Sequence, residues 1–204
     1  MYDFIIYDFD GTLSDSYPVY ADALMILLER YGLHMEWKEG YALLKVSVGH
    51  ALRQFDFGKP IKDISVEFNK IYHELARASM EAIPGAVDIL RFATEHDKKN
   101  YIYTHTGKFA FEMLDKMKLS PYVDYVLDSS AGFARKPVPD ALYFLFEKCG
   151  IDPSRALMVG DRDIDVEAAH NAGIHGCLFD PGDYYPDCRA EYRINGLLEL
   201  EKIV

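Results

Sequence analysis

Tyr7-Asp8-Phe9-Asp10-Gly11-Thr12-Leu13 follows the apolar run Phe4-Ile5-Ile6 without a break. Residues 3–7 read as a short buried strand, and in a parallel α/β sheet the chemistry gathers at the carboxyl ends of such strands. An Asp-x-Asp-Gly leaving one therefore aims two carboxylates into that crevice. Asp8 is then a candidate nucleophile and Asp10 a candidate general acid and base. Gly11 allows the bend that turns the chain away from the sheet, and Thr12 is expected to anchor it through its hydroxyl.

The stretch that follows changes character. Tyr20, Leu24, Leu27, Leu28 and Tyr31 recur at helical spacing behind Ser16, a candidate N-cap. Two short helices broken near Val48-Gly49 are expected between residues 36 and 57, and Ile64, Phe68, Ile71 and Leu75 mark a helix over 62–82. No strand signal interrupts this region. After Pro84-Gly85 strands and helices alternate: helix 86–97, strand 101–104, helix 108–117, strand 125–127, helix 139–149, strand 156–159, helix 164–172 and strand 175–179. The fold class this predicts is α/β, a doubly wound parallel sheet of Rossmann-like type formed by residues 1–14 and 83–204. An all-helical module of residues 15–82 is inserted into it.

Three further groups follow predicted strands, so the same crevice would collect them. Thr104 ends one strand, where its hydroxyl and the next amides suit a phosphoryl oxygen. Lys136 lies in a loop after another, where an ammonium would offset the charge of a carboxylate and an approaching phosphate. Asp161 stands where the run Ala156 to Val159 ends, and Asp165 one helical turn beyond it. Asp8, Asp161 and a main-chain carbonyl together make the hard oxygen set that Mg²⁺ prefers.

In this order the four sites are similar to the four motifs of the haloacid dehalogenase superfamily, with Asp8-Phe9-Asp10-Gly11-Thr12 resembling the first, Thr104 the second, Lys136 the third and Gly160-Asp161 with Asp165 the fourth. The helical insertion looks like the small helical cap of the members that resemble phosphoglycolate phosphatase and β-phosphoglucomutase. The resemblance implies a Mg²⁺-dependent phosphatase of small phosphomonoesters that works through an aspartyl-phosphate. The ion would be held by Asp8, the Asp10 main-chain oxygen and Asp161, with Asp165 behind them or orienting Lys136. It also implies that Lys45, Gly49 and Arg53, with His50 nearby, contact the substrate beside Thr104 and Lys136. His105 departs from the small polar residue expected after the Thr, and its imidazole is a candidate for substrate contact.

The second acid argues against carbon–halogen hydrolysis, which needs no proton. Phosphonate cleavage would require a cap lysine, for which Lys38 and Lys45 are the candidates. A sugar-phosphate mutase and a non-catalytic phospho-binding module are the alternative readings.

Composition narrows the partners. The chain has 204 residues, half of them apolar, without the roughly 18-residue apolar stretch of a membrane span. Its N-terminus has no signal-peptide pattern, and the expected location is the cytoplasm. With 33 acidic and 22 basic side chains the net charge is −11, which disfavours nucleic acid and leaves a small phosphorylated molecule as the expected partner. Cys149, Cys177 and Cys188 lack the spacing of a zinc site or a disulfide framework. Tyr184 and Tyr185, in the loop of residues 180–188, either line a pocket or cover the core.

Overall fold

The computed structural model describes residues 2–204 and divides them into two compact units, residues 2–14 with 82–204, and residues 15–81. The first unit is built on strands β1 (Phe4–Tyr7), β2 (Lys99–Tyr103), β3 (Tyr125–Leu127), β4 (Ala156–Gly160), β5 (His175–Phe179) and β6 (Tyr192–Ile194). They form one sheet in the order β3-β2-β1-β4-β5-β6, and every pairing is parallel. Strand order therefore reverses at β1: the chain works outward through β2 and β3, then crosses back to lay β4 on the other flank. An open α/β sheet leaves a crevice at such a switch point, outside the carboxyl ends of the strands.

Both faces of the sheet are covered, which is why β1 and β4 read as nearly continuous apolar runs. On one face Ile6, Tyr101, Tyr103, Leu127 and Met158 join Leu142 and Leu145 of α7 (Asp140–Cys149) and Ala168 and Ala169 of α8 (Asp163–Asn171) in a single core. On the other, Asn100 donates its side-chain amide to the Leu90 carbonyl of α5 (Ala86–Glu95) and to the Tyr122 carbonyl. Strand β2 begins at Lys99, two residues before the apolar run that predicts it, because buried Asn100 finds these partners and Lys99 stays exposed. Strand β6 is absent from the predicted set; the alternation of Tyr192, Arg193 and Ile194 is only three residues long, too short to mark a strand.

The second unit contains α1 (Ser16–Arg30), α2 (Trp37–Val46), α3 (Val48–Leu52) and α4 (Ile61–Ser79). Leu24, Leu27 and Leu28 of α1 and Ile64, Phe68, Ile71 and Tyr72 of α4 are buried, and Tyr20 stacks on Tyr72 with ring centroids 4.0 Å apart. Ser16 does not cap α1. It is the first helical residue, Asp15 holds the N-cap position without a side-chain bond, and the buried Ser16 hydroxyl has no hydrogen-bond partner among the described residues. Among the described residues no helix is long and apolar enough to cross a membrane.

Candidate active site

The parallel register sets the site. Tyr7 lies opposite both Ile102 and Val159, so Asp8, Thr104 and Asp161 leave β1, β2 and β4 within a residue or two of one level. The Asp8 amide donates to the Val159 carbonyl at 2.8 Å, extending the ladder by one rung and holding the Asp8 side chain at the mouth of the sheet. Beyond it Gly11 turns with φ of 79°, and its amide donates to Ser14 O while Leu13 and Ser14 amides return to Phe9 O. The bend is thus held by backbone. The Thr12 hydroxyl, expected to anchor it, is fully buried and has no hydrogen-bond partner among the described residues.

Lys136 is the centre of charge. Its ammonium donates to Asp8 Oδ1 at 2.7 Å and to Asp165 Oδ1 at 2.8 Å, lies 4.6 Å from the centre of the Tyr103 ring, and is fully buried. Burial alone would strip its proton, but the two carboxylates outweigh that cost and hold its pKa above the ordinary lysine value. Asp165 spends its second oxygen on the Arg162 amide at 3.1 Å, which fixes the carboxylate at the start of α8. Oxygens of Asp8, Asp161 and Asp165 lie within 4.8 Å of one another, and all three residues are buried. Lys136 offsets part of the charge of Asp8 and Asp165, and Asp8 Oδ2 has no hydrogen-bond partner among the described residues. A divalent cation satisfies both conditions, and the all-oxygen donor set fits Mg²⁺.

The segment after β2 ties the remaining groups together. The Thr104 hydroxyl accepts the Thr106 amide at 3.0 Å, and the Thr106 hydroxyl donates to Asp10 Oδ2 at 2.5 Å. His105 turns its ring toward the lysine loop, where Nε2 accepts the Lys136 amide at 3.0 Å. Burial, followed by the charges of Lys136, Arg135 and Arg162, pushes the His105 pKa down to about 3. Thr106 is a site residue that sequence reasoning missed, since its partner lies 96 positions away in the chain. Asp180, buried at the end of β5, organises the loop that follows: it accepts the amides of Tyr184 and Tyr185, each at 2.9 Å, and a bond from Arg193. Tyr185 is thereby half-buried, its phenol pKa raised by burial and then by Asp161, while Tyr184 stays exposed.

The α/β unit thus brings together Asp8, Asp10, Thr104, His105, Lys136, Asp161 and Asp165. The other predicted contacts belong to the helical unit. There Lys45 Nζ sits 3.9 Å from the centre of the Tyr17 ring, and Arg53 closes α3 with its guanidinium packed against Gly49.

The family model for haloacid dehalogenase-like hydrolases matches residues 5–179. The chain belongs to this family. It is 28% identical over 180 residues to phosphoglycolate phosphatase 1 of Pseudomonas aeruginosa, an alignment covering 83% of this chain and 66% of that protein. This haloacid dehalogenase-like chain thus spans just under two thirds of the length of that relative. Its fold is shared with a hydrolase from Streptococcus pneumoniae TIGR4, at 26% identity and a TM-score of 0.70, with 99% of this chain and 97% of that one covered. A predicted phosphoglycolate phosphatase from Haemophilus somnus superposes with a TM-score of 0.84 at 18% identity, over the same shares of the two chains.

Proposed function

We propose that this protein is a Mg²⁺-dependent phosphatase that hydrolyses small phosphomonoesters through an aspartyl-phosphate on Asp8. The observation that carries the reading is the buried Lys136 ammonium bonded to Asp8 and Asp165 while the other Asp8 oxygen stays unbonded. One oxygen is neutralised and oriented, and the other is left to react or to bind the ion.

Asp8 attacks phosphorus in line, and Asp10, its carboxyl oriented by Thr106, protonates the departing alkoxide oxygen. In the second half Asp10 takes a proton from water, and that water attacks the phosphorus of the aspartyl-phosphate, returning the Asp8 carboxylate and releasing phosphate. Thr104 and the amides after it receive the phosphoryl oxygens, and Lys136 offsets the charge that gathers there. Asp8, Asp161 and the main-chain oxygen of Asp10 would hold Mg²⁺, with Asp165 positioning Lys136. When bound, the ion supplies positive charge that lets an anionic carboxylate approach an anionic ester.

Phosphoglycolate or a sugar phosphate is the proposed substrate class. The name of the Pseudomonas relative supports it, as does the presence of two cations, Lys45 and Arg53, around Gly49 for a second anionic group. Residues 15–81 would then act as the cap that selects substrate. A cytoplasmic location accompanies such a small metabolite.

The test is phosphate release from a panel containing phosphoglycolate, sugar phosphates, nucleotides and an aryl phosphate, with Mg²⁺ and with EDTA, beside Asp8→Asn. Multiple turnover that requires both the metal and Asp8 is expected. Turnover that survives either EDTA or Asp8→Asn would reject the mechanism.

A further inference from the structure

Residues 131–135 are exposed and Lys136 is the first buried residue after them; the exposed Phe133 ring, 5.1 Å from that of Phe144, packs the loop only at its edge. Yet its ammonium must meet two oxygens at 2.7 and 2.8 Å through a long, flexible side chain. Such precision requires that the backbone below it be fixed. Two polar tethers stand on either side of the Lys136 side chain: the Lys136 amide donates to His105 Nε2 at 3.0 Å, and the Pro137 carbonyl accepts Asn171 Nδ2 at 3.0 Å.

We propose that His105 is a positioning residue which, through Nε2, holds the Lys136 backbone so that the ammonium stays bridged between Asp8 and Asp165. This rests on the phosphatase reading and gives the histidine a task other than substrate contact. The bond demands a lone pair on Nε2, and hence the tautomer with its proton on Nδ1. The surroundings enforce the neutral ring: burial and three neighbouring cations hold its pKa near 3. Tyr103 also sets the ring plane, meeting it edge-on with centroids 5.9 Å apart, while Lys136 Nζ lies over the face of the same tyrosine. One strand-end tyrosine thus contacts both the tether and the group it positions.

The test compares His105→Ala, His105→Asn and His105→Gln with p-nitrophenyl phosphate and Mg²⁺. A glutamine oxygen reaches about as far as Nε2 and accepts the same amide; asparagine stops short. Loss of kcat by about tenfold or more in the Ala and Asn variants is expected, with KM within about twofold and activity recovered to within about threefold by Gln. An unchanged kcat in folded His105→Ala, a Gln variant no better than Asn, or a loss confined to KM would each overturn the proposal.

A readout independent of turnover is the ¹⁵N coupling across the N–H···N bond in the wild-type protein. Coupling between the Lys136 amide and an unprotonated Nε2 is expected, and a ring protonated on Nε2 would overturn the tether. If the wild type hydrolyses nothing while the coupling is present, the phosphatase reading fails and the tether stands.

Discussion

Lys136 bridges two buried carboxylates, Asp8 and Asp165, so its removal has a cost beyond chemistry. Deleting one partner of a buried pair strands charge, at about 3–5 kcal/mol. Lys136→Met is expected to lose that much stability to urea without divalent ions, and to regain part of it when Mg²⁺ is added. An equal loss in both conditions would mean that the carboxylates do not share a cation.

His105 gives a pH signature of its own. Its folded pKa, about 3, lies below its ordinary value of 6.5. Between those values the unfolded chain binds a proton that the folded chain refuses, so stability rises with pH across the window and is lost as pH falls through it. Urea midpoints taken near pH 7 and near pH 4 are therefore expected to differ less in His105→Gln than in the wild type.

At this scale the legible residues were those that follow an apolar strand directly, namely Asp8, Thr104 and Asp161. Lys136 was legible through its order among them. Thr106 and Asp180 were not, because their meaning lies in bonds to Asp10 and Arg193 that no local pattern announces.

Among the elements, the junction of β4 with α8 bears most on the site. A Cβ on Gly160 would lie 2.3 Å from Asp165 Cβ and 2.4 Å from its Cγ, so the strand end and the first turn of the helix meet closely enough to exclude any side chain. Gly160→Ala is expected to displace Asp165 from Lys136, lowering stability by about 1–3 kcal/mol and reducing kcat. Stability in urea and turnover of an aryl phosphate should fall together, and a folded variant of wild-type activity would show that Asp165 can shift without consequence.

The loop after β5 depends on one buried carboxylate. Asp180→Ala should speed hydrogen exchange at the Tyr184 and Tyr185 amides above all others, since those are the two it accepts.

Strands β1, β3, β4 and β5 were legible as elements because apolar and β-branched residues fill them, and α1 and α4 because their leucines, isoleucines and aromatics repeat at helical spacing. Strand β6 and the first two residues of β2 were not. Parallel pairing there is carried by main-chain bonds and by buried polar side chains such as Asn100, which hydropathy patterns conceal.

Over the whole molecule the charge of −11 opposes the arrival of a phosphate dianion. For the proposed substrate, capture then rests on local cations, and in the α/β unit the Lys136 ammonium is already bridged between Asp8 and Asp165. In the helical unit Lys45 is drawn over the Tyr17 ring, whereas Arg53 is exposed at the end of α3. The two cations that the sequence treats alike are therefore unequal, and Arg53 is the one with a guanidinium free to fork onto a carboxylate or phosphate. If the helical unit selects for a second anion, Arg53→Ala should lower kcat/KM for phosphoglycolate by about tenfold, the equivalent of one charge-assisted bond of about 1.4 kcal/mol. The same variant should leave p-nitrophenyl phosphate, which carries no second anion, unchanged. Equal losses on both substrates would assign Arg53 to the fold of the helical unit, and no loss on either would remove it from substrate selection.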